Sequence, residues 1–151
     1  MFDSAVNWLV ANGRSAQWGT VPWSQRPEVV TKIGRMMRLG TPWIAEVDGE
    51  AAGTLTLSTT PLSDYVEAAD EPEVYIHLLV IDRRFSGLGV GSTLLAHAVD
   101  EARRLGVGLL RVDCYAGSEG KLVDYYRRNG FTPVSTFTVG DWPGQLLAQR
   151  V

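Results

Sequence analysis

The sequence predicts an α/β (α+β) fold in one domain over residues 1–151, and three observations carry that prediction. An apolar run from Val74 to Ile81 meets an amphipathic run from Ser92 to Leu105 through Ser86-Gly87-Leu88-Gly89-Val90-Gly91, so a glycine-rich turn joins a strand to a helix. Two strand-like stretches, Trp43 to Val47 and Ala52 to Ser58, flank Asp48-Gly49, a dipeptide suited to the positive φ angles of a tight hairpin. A chain of 151 residues with 45% hydrophobic and 21% charged side chains buries a core without staples.

The elements follow in order. Asp3 or Ser4 is expected to cap a first helix that reaches about Val10 and stops at Gly13. After the loop Gln17 to Trp23, Ser24 is expected to cap a second helix that runs to Leu39 and ends at Gly40. The hairpin and the strand Val74–Ile81 come next. The helix from Ser92 then lays Leu94, Leu95, Ala98, Val99, Ala102 and Leu105 on one face and ends at Gly106. A strand from Leu109 to Cys114, a helix around Leu122 to Asn129 and two terminal strands complete the chain.

Composition removes several classes. Cys114 is the only cysteine, so no internal disulfide forms and no cysteine cluster holds zinc; no metal is expected, and an apolar strand makes Cys114 a structural thiol. Met1-Phe2-Asp3-Ser4 lacks a basic leader, and no segment has the length of a membrane span, which predicts a cytoplasmic protein. A net charge of −3 argues against a nucleic-acid partner, which calls for a basic face.

The glycine turn reads as an anion site, with a tight strand-to-helix turn that holds no ligand as the competing reading. Glycines at alternate positions let a backbone approach a ligand closely, and the N–H groups that open a helix lack intrahelical partners where its dipole favours negative charge. The phosphate is not that of a nucleotide triphosphate, because no Gly-Lys-Ser/Thr follows. Glycines 87, 89 and 91 also miss the G-x-G-x-x-G spacing of dinucleotide folds, and no acidic residue follows in the ribose-binding place.

Two longer stretches resemble the GNAT superfamily of acyl-CoA-dependent N-acetyltransferases: His77 to Gly91 with the strand and helix around it, and Leu122 to Phe131 with its Tyr-x-x-x-Gly-Phe at Tyr126 to Phe131. Aligned on Gly89 and Gly91, the family's Arg/Gln-x-x-Gly-x-Gly/Ala signature meets Ser86 where Arg or Gln is usual, a departure. The resemblance implies a mixed, mostly antiparallel sheet with helices on both faces. It also implies a strand ahead of the first helix; here the helix begins almost at Met1, so the sheet is expected to start one strand short. Acetyl-CoA is the implied acyl donor. Its pyrophosphate would lie on Ser86, Gly87, Leu88, Gly89, Val90, Gly91 and Ser92, with Arg84 and its neighbour Arg83 expected at the CoA phosphates.

Acetyl transfer to an amine needs an acceptor for the amine proton, polarisation of the thioester carbonyl and stabilisation of the leaving thiolate. The resemblance assigns the carbonyl to backbone amides among Leu79, Val80 and Ile81, where the family's strand splays, and the thiolate to Tyr126, with Tyr125 as a packed aromatic. For the base, strand alternation puts Glu73, Tyr75, His77 and Leu79 on one face, so His77, or Glu73 through a water, is the candidate; a hydrogen-bonded core histidine and a solvated strand end are the competing readings. His97 lies on a polar helix face and is expected to be solvated.

The expected partners are acetyl-CoA and a small cationic primary amine attacking directly in a ternary complex, with no nucleic acid and no membrane; a homodimer stays open. Residues 61–73 carry five carboxylates and no Lys or Arg, which favours a cationic amine, and Trp18, Trp23 and Tyr65 offer a wall for it. Two other readings stay open: an acyl-CoA sensor or partner-binding domain without turnover, and a nucleotide-binding protein.

Overall fold

The computed structural model describes residues 1–151. Helix α1 (Phe2–Ala11) and α2 (Pro27–Leu39) precede a hairpin of β1 (Thr41–Val47) and β2 (Glu50–Ser58), then β3 (Val74–Ile81), α3 (Val90–Arg104), β4 (Leu109–Tyr115), α4 (Lys121–Arg128), β5 (Thr132–Val139) and β6 (Trp142–Arg150). The six strands form one sheet in the order β1-β2-β3-β4-β6-β5, antiparallel except for β3 against β4. Within residues 1–151 no strand precedes α1. No helix is long and apolar enough to cross a membrane.

The hairpin forms because Asp48 and Gly49 both adopt positive φ, 51° and 79°, the backbone that a two-residue turn matching strand twist requires. Helix α3 starts two residues earlier than its apolar face suggests, because Gly89 at φ 76° closes the turn as the residue ahead of the helix. Neither expected cap acts. Asp3 instead accepts the backbone N–H of Ser24 at 3.0 Å and its hydroxyl at 2.5 Å, which ties α1 to the loop before α2. Ser24 lies in a separate single turn, Trp23–Gln25, and α2 opens on Pro27, whose fixed φ suits a first helical position.

The helices cover both faces of the sheet. Residues of α3 and α4 pack with Leu55, Leu57, Val74, Ile76, Leu110, Val112 and Cys114 in the main core. On the opposite face Ala5 of α1 and Ile33 and Met37 of α2 pack with Leu78 and Val80. Strand β3 therefore changes sides along its length. Val74 and Ile76 face α3, and so do Leu79 and Ile81, whereas Tyr75, Leu78 and Val80 do not. The cause is a bulge: Leu57 pairs with Ile76 and Thr56 with Leu78, leaving His77 without a partner in the ladder. The expected common face of Glu73, Tyr75, His77 and Leu79 is thus broken, and Leu79 points away from the other three.

His97 is not simply solvated. It is half-buried with its ring edge-on to Trp43, centroids 4.3 Å apart, and its Nε2 is buried with no partner.

Candidate active site

Strands β3 and β4 pair only over Val74–Leu110, Tyr75–Arg111 and Ile76–Val112, and then part. Strand β4 stays paired with β6 through Tyr115 and β3 stays paired with β2 through Ile81, so the gap lies between two fixed edges. A cleft of about 1120 Å³ occupies it, lined by both strands, the glycine loop, α1 and the segment leading into α2.

At one end of the cleft is the start of α3. The amides of Gly89, Val90, Gly91 and Ser92 make no backbone hydrogen bond, while that of Leu88 is used by the turn, donating to the Phe85 carbonyl at 3.3 Å. The free amides and the helix dipole together suit an anion. Ser86, Gly87, Gly89, Val90, Gly91 and Ser92 line the cleft; Leu88 does not, and its side chain is exposed. A Cβ at Gly89 would meet nothing within 4 Å, so its φ is what demands glycine there. At Gly91 the demand is space, since a Cβ would collide with the Tyr125 hydroxyl.

The arginines divide differently from expectation. Arg84 is 63% exposed, is held by Asp82 at 3.2 Å and Glu50 at 3.5 Å, and does not line the cleft. Its charge is already spent on carboxylates. Arg83 does line the cleft, lies over the Trp8 ring at 3.9 Å and donates to Ser86 Oγ at 3.1 Å. Arg14 flanks the same ring at 5.2 Å, and neither guanidinium has a carboxylate partner within 4 Å. Burial, then the charge of Arg14, pulls the pKa of Arg83 down. Two unpaired cations beside the free amides make this end strongly anion-seeking. Ser86 stands where the family's Arg or Gln is usual, and the guanidinium of Arg83, three residues earlier, sits against it.

In the middle, Asp82 N–H donates to the Ala52 carbonyl at 2.8 Å. Because backbone groups alternate along an antiparallel ladder, Val80 shares that β2-facing edge and the amides of Leu79 and Ile81 face the gap. Tyr126 lies on the α4 side, 5% exposed and edge-on to Phe131 at 5.7 Å. It lines the cleft, no protein group hydrogen-bonds its hydroxyl, and burial pushes its pKa well above the ordinary tyrosine value. Tyr125, expected to be a mere packing residue, also lines the cleft and brings its hydroxyl to the α3 N-terminus at Gly91 and Ser92.

On the α1–α2 side the polar residues of β3 and β4 form a chain. Glu73 is 2% exposed and held by Arg111 through both carboxylate oxygens, Nε to Oε2 at 2.5 Å and Nη2 to Oε1 at 2.8 Å, and it also accepts the Ala69 N–H at 2.9 Å. It does not line the cleft. Glu73 as a base working through water is therefore corrected: its carboxylate is a structural clamp on the segment before β3. Beyond it the Tyr75 hydroxyl donates to Asp113 Oδ1 at 2.5 Å. His77 lines the cleft, with Nε2 2.6 Å from Ser58 Oγ and 3.2 Å from the Thr60 carbonyl. Ser58 Oγ donates its own proton to the Thr60 carbonyl and so accepts from the ring, which assigns the ring proton to Nε2 and leaves Nδ1 as the basic nitrogen. Burial lowers the His77 pKa below its ordinary 6.5, so the ring is neutral at pH 7. Cys114, on the α3 side, is buried and its thiol is pushed up to about 12, which suits packing rather than nucleophilic chemistry.

Sequence reasoning missed Arg14 and Asp113. Arg14 carried no motif. Asp113 sat inside an apolar strand, where its odd parity against Val112 and Cys114 was the available signal.

Fold and cleft define an acyl-CoA-dependent transferase, and the comparisons agree. The model of the acetyltransferase (GNAT) family matches residues 8–131, so the chain belongs to that family, whose members are acyl-CoA-dependent N-acetyltransferases. The uncharacterised N-acetyltransferase YesJ of Bacillus subtilis (strain 168) is 27% identical over 128 residues, 78% of this chain and 71% of that protein. A GNAT-family acetyltransferase from Listeria monocytogenes 4b F2365 superposes with a TM-score of 0.70 at 25% identity, covering 99% of this chain and 84% of that one. One from Elizabethkingia anophelis with acetyl-CoA bound shares the fold at 18% identity, TM-score 0.63, over 80% of this chain and 82% of that one.

Proposed function

We propose that this single domain, residues 1–151, moves an acetyl group from acetyl-CoA to a primary amine of a small molecule by direct attack in a ternary complex. The observation that carries the reading is one continuous cleft with unpaired helix-start amides at one end and the parted strands β3 and β4 at the other. In this reading the amides of Val90 to Ser92, with Arg83 and Arg14, hold the pyrophosphate; Arg84 plays no part. The N–H groups of Leu79 and Ile81 donate to the thioester oxygen as charge develops on it. His77 Nδ1 takes one proton from the ammonium, the freed amine nitrogen bonds to the carbonyl carbon, the carbon–sulfur bond breaks as Tyr126 gives its hydroxyl proton to the departing sulfur, and the surplus proton on the new amide nitrogen passes back to the Tyr126 oxygen.

The experiment is a screen of primary amines with acetyl-CoA that follows release of free CoA thiol. Turnover with any amine supports transfer; tight CoA binding with no turnover across the screen favours the sensor reading, for which the Ser86 departure is the motive. Two substitutions sharpen it. Gly89→Val forces a branched residue into the left-handed region at a cost of about 1–2 kcal/mol and disorders the start of α3, so acetyl-CoA should bind about five- to thirtyfold more weakly in calorimetry. Unchanged affinity in a folded protein removes the loop from the site. For His77 the sign is set by its depressed pKa: the active neutral ring is lost only as pH falls below 6.5, so kcat/KM rises with pH through a limb in that acidic range and is flat through it in His77→Gln. A wild-type limb in the mutant rules His77 out as the base.

A further inference from the structure

We propose that Asp113 anchors the ammonium group of the acceptor, and that the acceptor is accordingly a primary amine carried on an apolar or aromatic body, docking on the α1–α2 side of the parted strands. The inference rests on the acyl-transfer reading above and assigns that reaction its second substrate site.

The placement comes from the sheet. Ile76 and Val112 are the last paired residues of β3 and β4, so His77 and Asp113 are the first residues on the two lips of the gap. Val112 and Cys114 face α3 in the main core, which turns Asp113 to the opposite face with Tyr75. Asp113 lines the cleft beside His77, and Tyr75, fully buried, fixes one of its oxygens at 2.5 Å while its own ring stands 5.0 Å from that of His77. The second oxygen has no protein donor. An ammonium held there lies next to the candidate proton acceptor.

Neighbouring charges leave Asp113 available. Arg111, on the same face of β4, is neutralised by Glu73. Lys32 of α2 also lines the cleft, and its charge acts on Asp113 from a distance, but it makes no ion pair with it within 4 Å. Burial raises the Asp113 pKa, which the Tyr75 hydrogen bond and Lys32 partly offset, so the carboxylate is a poorly solvated anion that a cation stabilises. The surroundings suit an apolar body. Tyr65, stacked on Phe137 at 5.2 Å, Trp142 and the paired Trp18 and Trp23, centroids 4.4 Å apart, line the same side of the cleft, and such rings attract cations as well as apolar groups.

The test uses the full chain saturated with CoA, which carries no acetyl group and so allows no turnover, titrated with 2-phenylethylammonium and with the neutral 2-phenylethanol at pH 7. Wild type should prefer the ammonium by about tenfold or more, the range of a hydrogen bond to a charged group. Asp113→Asn, which retains a partner for Tyr75, should bind both alike while keeping its CoA affinity. Tyr75→Phe keeps the charge but frees the carboxylate to turn, and should reduce the preference without abolishing it; it decides the matter with the wild-type ratio if Asp113→Asn does not fold. Equal binding of the two probes by wild type, a preference that survives in Asp113→Asn, or binding of neither probe by a protein that binds CoA overturns the proposal alone. Failure to bind CoA overturns the acyl-transfer reading, and this one with it.

Discussion

Tyr126→Phe should turn over about a hundredfold more slowly than wild type, or worse, with acetyl-CoA affinity little changed. General acid catalysis contributes on that order, and the substitution removes only the hydroxyl that would supply the proton. The ring stays packed against Phe131, and no protein hydrogen bond is lost, so stability should hold. Burial raises the pKa of this hydroxyl well above the ordinary tyrosine value, so in the proposed donor role Tyr126 should contribute no pH limb of its own. Tyr125→Phe is the control. Its hydroxyl lies at the α3 N-terminus, and its loss should change acetyl-CoA binding before it changes the chemical step. The measurement is single-turnover CoA release at saturating amine. Wild-type rates in Tyr126→Phe would remove the role, and a larger loss in Tyr125→Phe would transfer it.

The parts of this site visible in the sequence were those fixed by local backbone chemistry. Glycines 87 and 89 need positive φ, Asp48-Gly49 needs it too, and both requirements can be read without knowing what packs nearby. The apolar parity of β4 and the period of α3 are equally local. What escaped was set by tertiary geometry. One extra residue at His77 shifts the strand by a position, and nothing in Tyr75-Ile76-His77-Leu78 announces it, since both alternations leave apolar residues facing a covered side. Arg83 and Arg84 are chemically alike, and only the acidic side chains of Asp82 and Glu50 decide which of them is free. Glu73 looked available because its partner lies 38 residues away on β4.

That partner carries the largest expected effect on stability. Arg111→Met leaves the Glu73 carboxylate buried without a counter-charge, and breaking such a pair from one side costs about 3 kcal/mol or more. In a chain of this size the midpoint of thermal unfolding should fall by about 6–12 °C. Adding Glu73→Leu to Arg111→Met should recover part of the loss, because removing both charges leaves no orphan. It should not recover all of it. Arg111 also donates to the Glu67 carbonyl at 2.8 Å and Glu73 accepts from Ala69, so the pair ties down the segment that carries Tyr65 to the cleft wall. The amine KM should therefore rise in the double mutant while acetyl-CoA affinity holds. Glu73→Gln separates this role from catalysis: as a clamp it loses stability yet keeps kcat per folded molecule, whereas a base would lose kcat and keep its melting temperature. A Glu73→Gln protein as stable as wild type but without turnover would return Glu73 to the reaction.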